Sequence, residues 1–128
     1  MEWEQDENFR ESIERYIVAS ATIMRSLDRQ LREALPAGDV VVYGTGQLAM
    51  KLLTGTVLGE RRIAAFADGN PVKAGQTFGG VPVVRPEDLA RTAGASAAIV
   101  ITTLLHTEGI HQRIAELGLP NPVLTLHA

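Results

Sequence analysis

The chain has 128 residues, no cysteine and a formal net charge of −3, and 45% of its residues are hydrophobic. This length and composition predict one globular domain with its own core, and they exclude disulfides and thiolate metal sites. The acidic amino terminus is unlike a signal peptide, no apolar run reaches the roughly 20 residues that span a bilayer, and no basic cluster exceeds the pair Arg61-Arg62. We therefore expect a cytoplasmic protein that binds neither membranes nor nucleic acid.

The first 35 residues contain neither glycine nor proline, which predicts a long amphipathic helix from about residue 5 to residue 35. Pro36 and Gly38 end this helix, and we place a boundary between residues 1–35 and a second region, residues 36–128. Two interpretations of its apolar stripe stay open: it packs on the chain's own sheet, or it forms the heptad seam of a homodimer. The stripe consists of Ile13, Ile17, Ser20, Met24, Leu27, Leu31 and Ala34.

Strand and helix patterns alternate in the second region. Apolar runs predict five strands, at about 39–43, 63–67, 81–84, 97–103 and 122–126, and helical patterns predict helices at about 46–58, 86–93 and 107–117. The glycines and proline of segment 69–80 predict a loop or a short hairpin. This alternation predicts an α/β domain of three layers, with a five-stranded parallel sheet in the order 3-2-1-4-5 between layers of helices.

A glycine turn connects the first strand to its helix. It reads Gly-x-Gly-x-x-Ala at Gly44, Gly46 and Ala49, with Thr45 and Gln47 at the variable positions. Gly44 permits a tight turn, Gly46 lets a phosphate approach the backbone, and Ala49 allows the helix to pack closely on the sheet. The free N–H groups at the start of that helix favour an anion. In the alternative interpretation the site is degenerate and the glycines serve the turn alone.

Asp68 ends the second strand, 24 positions after Gly44. An acid at this position is suited to accept hydrogen bonds from ribose hydroxyls. Alternatively, its carboxylate accepts backbone N–H bonds within its own turn. Asn70 is a further candidate ligand group or a turn residue, and Lys73 either meets a phosphate or carboxylate or is a solvated surface lysine.

Thr102, Thr103 and His106 follow the fourth strand. Ligands of an open parallel sheet bind beyond the carboxyl ends of the strands, so Thr102 and Thr103 are candidate cofactor-binding residues. His106 is a candidate acid or base, although no neighbouring carboxylate in the sequence would tune it. The three histidines of the chain are scattered without ligand spacing, and we predict no metal site.

Residues 38–127 resemble a recurring Rossmann-like domain. The similarity is carried by Tyr-Gly-Thr-Gly at 43–46 and by Phe-Ala-Asp-Gly-Asn-Pro-Val-Lys at 66–73. This pattern is similar to the carboxyl-terminal domain of sugar C-methyltransferases and to the nucleotide-binding domains of nucleotide-sugar dehydratases and acetyltransferases. The resemblance implies a module that positions a nucleotide or nucleotide-sugar while another domain performs the reaction. It also implies that Gly44, Thr45, Gly46 and Asp68 line the ligand site.

We therefore predict a non-catalytic module that binds a nucleotide or a nucleotide-sugar, with NAD as another possible ligand. It would act as a subunit or domain beside a catalytic partner protein of a methyltransferase-like, sugar-modifying system. Two alternatives stay open. One is an interaction scaffold that assembles through the amino-terminal helix and has lost its ligand site, and the other is a small NAD-dependent oxidoreductase.

Overall fold

A computed structural model of the protein describes residues 20–128. Helix α1 occupies residues 20–34 of this part, and the earlier portion of the predicted helix, with Ile13 and Ile17, lies outside it. Among residues 20–128, no helix is both long enough and apolar enough to cross a membrane. The elements that follow α1 are β1 (Val40–Tyr43), α2 (Gln47–Gly55), a 3-10 turn (Val57–Glu60), β2 (Ile63–Ala67), β3 (Thr77–Phe78), β4 (Val81–Val84), a second 3-10 turn (Pro86–Asp88), α3 (Leu89–Thr92), β5 (Ala98–Ile101), α4 (Thr107–Glu116) and β6 (Val123–Thr125).

The strands form one mixed sheet in the order β3-β4-β2-β1-β5-β6. The prediction of a five-stranded, wholly parallel sheet was wrong in detail, because β3 pairs antiparallel with β4 and adds a sixth strand at the edge. Gly79 and Gly80 join the two strands, with φ of +57° and +82°. Two successive residues with positive φ are typical of a type I′ turn, one of the two favoured two-residue hairpin turns, so these glycines favour the added strand. The other five strands are parallel.

Apolar side chains cover both faces of the sheet. Along β1, Val40 and Val42 face one core cluster, whereas Val41 and Tyr43 face the other. The first cluster joins the sheet to α1 and α2, and the second joins it to α3 and α4. Because every side chain of β1 is buried, β1 lies in the interior of a three-layer α/β domain.

Helix α1 is packed into the core. Leu27 and Leu31 are fully buried in the first cluster. An ion pair with Arg32 at 2.8 Å lowers the pKa of the Asp28 carboxyl, and so does the hydrogen bond that Asp28 accepts from the Val57 amide at 2.8 Å. Three residues of the stripe, Met24, Leu27 and Leu31, therefore pack into the chain's own core, whereas Ala34 is exposed. Homodimerisation through the helix stays a prediction.

Gly59 makes a close backbone contact that no larger residue would permit. In the turn after α2, a Cβ on Gly59 would overlap the backbone carbonyl oxygen of Leu53. We expect Gly59→Ala to lower the free energy of unfolding by about 2 kcal/mol, because main chain must move to relieve the overlap. Urea denaturation measures this loss. Gly55→Ala is the matched control, since its Cβ would lie 3.7 Å from Met24 Cε, an ordinary contact. Equal unfolding midpoints for the two variants would contradict the prediction.

Candidate functional site

A cleft of about 760 Å³ lies at the carboxyl end of β1 and β5. Seven of the predicted ligand residues line it, and the structure therefore brings the glycine turn, the end of β2 and the end of β5 together. Four lining residues were not predicted as ligand groups, and the three leucines among them form a hydrophobic wall. The predicted group comprises Gly44, Thr45, Gly46, Gln47, Asp68, Thr102 and Thr103, and the unpredicted group comprises Leu48, Leu104, Leu105 and Ala128.

Gly44 and Thr102 hold the glycine turn against β5. Gly44 has φ +116°, and a Cβ there would lie 2.8 Å from Thr102 Oγ1. Thr102 is 4% exposed, and its hydroxyl lies 2.9 Å from the Gly44 carbonyl oxygen and 3.0 Å from that of Tyr43. Thr102 thus lines the cleft while its hydroxyl is bonded to the turn. Glycine is required at position 44 for both its conformation and its lack of a side chain.

Asp68 holds the other side of the glycine turn through hydrogen bonds. Its Oδ2 accepts hydrogen bonds from the Thr45 amide at 3.1 Å and from the Thr45 hydroxyl at 2.6 Å, and its Oδ1 accepts from the Asn70 amide at 2.9 Å. Three of about four acceptor positions of the carboxylate are therefore occupied within the chain. One acceptor position of the carboxylate, on Oδ1, is therefore left for the predicted contact with ribose.

Asn70 does not line the cleft. Its side-chain oxygen accepts a hydrogen bond from the Val72 amide at 3.1 Å, and its own amide donates to Asp68. These bonds are those of an Asx turn, which is the role that the sequence offered as its alternative. Asn70 therefore shapes the loop after β2.

The start of α2 offers unshared N–H groups to the cleft. Gly46 is the N-cap residue, with φ −83° and ψ −167°, and no side chain caps the helix. Gly46 and Gln47 are exposed, and within residues 20–128 no side chain accepts a hydrogen bond from their amides. The first amides of a helix have no partner within the helix, and the helix dipole makes this end positive. An anionic oxygen is the ligand that such a site favours.

The hydrophobic wall of the cleft comes from two elements. Leu48 belongs to the first turn of α2, and Leu104 and Leu105 lie in the loop after β5. Leu105 is 70% exposed, so most of its apolar surface is open to a contact. The sequence signal was available, because Leu104-Leu105 directly follows Thr102-Thr103. It was missed because an isolated apolar pair in a loop does not by itself indicate a ligand contact.

Thr103 and His106 lie in the same loop but border different clefts. The Thr103 hydroxyl donates to the Leu105 carbonyl at 3.0 Å, so it supports the loop. His106 has φ +60°, a left-handed conformation, and precedes α4. It lines a separate cleft of about 500 Å³ with residues 107–109, not the cleft of the glycine turn. Within residues 20–128, no group of three or more histidines or carboxylates is placed to hold a metal ion.

The face of the sheet that α3 and α4 cover carries an ion pair near Tyr43. Arg113 on α4 lies 2.7 Å from Glu87 in the turn before α3, and this contact lowers the pKa of the Glu87 carboxyl. Burial raises the pKa of the Tyr43 phenol, with Arg113 acting in the opposite direction. The phenol therefore stays neutral near pH 7. The pair connects the elements that cover this face.

Comparisons with known proteins show similarity to a solved structure. Neither a family model nor a curated protein sequence matches the chain. The crystal structure of UDP-D-quinovosamine 4-dehydrogenase from Vibrio fischeri is similar, with a TM-score of 0.55 and 22% identity. The similarity covers 70% of this chain and 78% of that one. At this identity the comparison concerns the fold.

The chain therefore has an α/β Rossmann-like fold with a mixed, mostly parallel sheet of six strands. Its glycine turn, uncapped helix and cleft occupy the position at which this class of fold binds ligands. The resemblance to the methyltransferase domain stays a prediction.

Proposed function

We propose that this chain is a nucleotide-binding module whose ligand is a nucleotide-sugar. The observation that carries the proposal is the uncapped amino end of α2, which opens on a cleft of about 760 Å³ beside a rigid glycine turn. The structural neighbour, a protein named as a UDP-sugar dehydrogenase, favours a UDP-sugar over other nucleotides.

The mechanism of binding is electrostatic. Phosphate oxygens accept hydrogen bonds from the amides of Gly46 and Gln47, where the helix dipole contributes the equivalent of roughly half a positive charge. The wall formed by Leu48, Leu104 and Leu105 covers an apolar ring face. Because Asp68 and Thr102 already hold the turn, little conformational entropy is lost when the ligand binds.

Asp68 is the one ionisable side chain among the cleft-lining residues. With three acceptor positions used in the turn, it is poorly suited to move a proton. We infer that the module holds its ligand for a catalytic partner protein in a sugar-modifying system. A methyltransferase is the partner suggested by the sequence resemblance.

A second candidate function is a small NAD-dependent oxidoreductase. The named activity of the structural neighbour favours it. Incubation with NAD and UDP-sugars separates the two candidates. Turnover detected by NADH fluorescence would show that the chain is an enzyme and contradict the proposal of a non-catalytic binding module. His106→Ala, which alters a residue outside the main cleft, should leave any such turnover unchanged.

The test of the proposed function is calorimetry with UDP-N-acetylglucosamine, UDP and NAD. We expect Gly46→Asp to fold at least as well as the wild type, since an aspartate caps a helix, and to bind UDP at least about 10-fold more weakly because it repels phosphate. Gly46→Ala is the control for the loss of glycine, since a Cβ at this position meets nothing within 4 Å. Absence of binding by the wild type at millimolar concentrations, or equal affinities of Gly46→Asp and Gly46→Ala, would contradict the proposal.

A further inference from the structure

The only two lysines of the chain line one cleft. Lys51, on α2, and Lys73, in the loop after β2, border a space of about 550 Å³ together with Met50. Thr45, Gly46 and Gln47 border this space and also the main cleft. The two clefts therefore adjoin at the glycine turn.

The two clefts differ in charge. Asp68 is the one charged side chain in the lining of the main cleft, whereas Lys51 and Lys73 are the charged side chains in the lining of the second. Within residues 20–128, neither lysine is paired with a carboxylate. Two unneutralised ammonium groups beside the amides of Gly46 and Gln47 make the second cleft positive.

The backbone at Lys73 is held in a fixed place. Its amide donates to the Asn70 carbonyl at 3.0 Å, and its carbonyl accepts from the Gln76 amide at 3.2 Å. The next turn of the loop is bonded to β4 through Gly75 and Val83 at 3.0 Å. The loop therefore places Lys73 beside the cleft at little cost in backbone entropy.

We propose that Lys51 and Lys73 bind the diphosphate of the ligand and thereby select nucleoside diphosphates over monophosphates. This inference rests on the proposed function and adds the orientation in which the ligand binds. The phosphates extend from the amides of α2 into the lysine cleft, and the neutral ring lies against the leucine wall of the main cleft. A monophosphate is satisfied by the helix amides alone, whereas a second phosphoryl group reaches the ammonium groups.

The experiment compares uridine, UMP, UDP and inorganic pyrophosphate by calorimetry at low salt. We expect the double variant Lys51→Gln/Lys73→Gln to bind UDP about 30-fold more weakly and UMP less than about 5-fold more weakly, with uridine unchanged. Arg29→Gln/Arg62→Gln is the matched control, because it removes the same two charges from exposed residues, on α1 and just before β2, that line neither cleft. This control should leave the UDP-to-UMP affinity ratio at its wild-type value.

The outcomes separate the inference from the proposed function. A wild type that binds none of the uridine compounds overturns both. A wild type that binds UDP, with the same UDP-to-UMP ratio in the double variant, overturns the lysine assignment alone. Pyrophosphate binding as tight as that of UDP overturns recognition of a nucleotide and leaves a site for the inorganic anion.

A second readout does not depend on mutation. Reductive methylation with ¹³C-formaldehyde keeps the charge of lysine and labels two side chains in this protein besides the terminal amine. We expect both dimethyl-lysine signals, assigned with the single glutamine variants, to shift when UDP is added. A UDP titration that saturates while either signal is unmoved would exclude that lysine from the site.

Discussion

Gly44→Ala should lower the free energy of unfolding by about 3 kcal/mol, through backbone strain and steric overlap together. Gly44 has φ +116°, a conformation that alanine adopts only with strain. The new Cβ would also lie 2.8 Å from Thr102 Oγ1, which would have to give up its hydrogen bonds to the turn in order to move away. Urea denaturation measures the loss, and UDP binding should fall with it because the turn forms the floor of the cleft.

The neighbouring glycine provides the control for this prediction. At Gly46, φ is −83° and a Cβ would meet nothing within 4 Å, so Gly46→Ala should change the stability by less than about 0.5 kcal/mol. In a double-mutant cycle, Thr102→Ala should relieve part of the cost of Gly44→Ala, because the overlapping oxygen is gone. Strict additivity of the two effects would show that contact with Thr102 is not the cause.

Asp68→Ala should lower the free energy of unfolding by about 3 kcal/mol and abolish measurable UDP binding. The substitution removes the acceptor for the Thr45 amide, the Thr45 hydroxyl and the Asn70 amide. Thr45 is only 5% exposed, so water cannot replace the lost carboxylate at both of its donors. Thermal and urea denaturation test the first effect, and calorimetry tests the second. Wild-type stability in this variant would contradict the assigned hydrogen bonds.

Two milder substitutions separate positioning by Asp68 from contact with the ligand. Asp68→Asn keeps one oxygen for Thr45, and Thr45→Val removes the hydroxyl while leaving the carboxylate in place. If Asp68 acts by holding the turn, both variants should weaken UDP binding by similar factors. If its remaining Oδ1 position binds ribose, Asp68→Asn should weaken binding of UDP and of uridine well beyond the effect of Thr45→Val.

The elements that were predicted most accurately carry short-range signals. The second and third predicted strands match Ile63–Ala67 and Val81–Val84, because each is an apolar run with a charged residue or a glycine on either side. The helix predicted to reach residue 58 instead ends at Gly55, since Thr56 is extended, with φ −134° and ψ 175°. The Thr56 side chain accepts a hydrogen bond from the Leu58 amide and starts a 3-10 turn. Competition between a side-chain cap and helix continuation is difficult to resolve from residue pattern alone.

In the candidate site, too, short-range signals were predicted from the sequence and long-range contacts were not. The pattern of glycines and the ends of apolar runs predicted that Gly44, Gly46, Asp68 and Thr102 would meet at one edge of the sheet. It did not reveal that Asp68 bonds to Thr45 across 23 positions of sequence. The sequence pattern also did not exclude Asn70 from the main cleft, since turn residues and ligand residues are chemically alike.

Local chemistry in the chain was enough to establish the α/β class, the place of the glycine turn and the edge of the sheet on which a ligand would lie. Backbone preferences and hydrophobic runs act over a few residues, and they can be read in order along the chain. Long-range packing established which polar groups hold the turn and which stay open to a ligand, and it brought both lysines to one cleft. Hydrogen-bond partners and shared surfaces depend on distances between residues remote in sequence, and those distances exist only after the layers have packed.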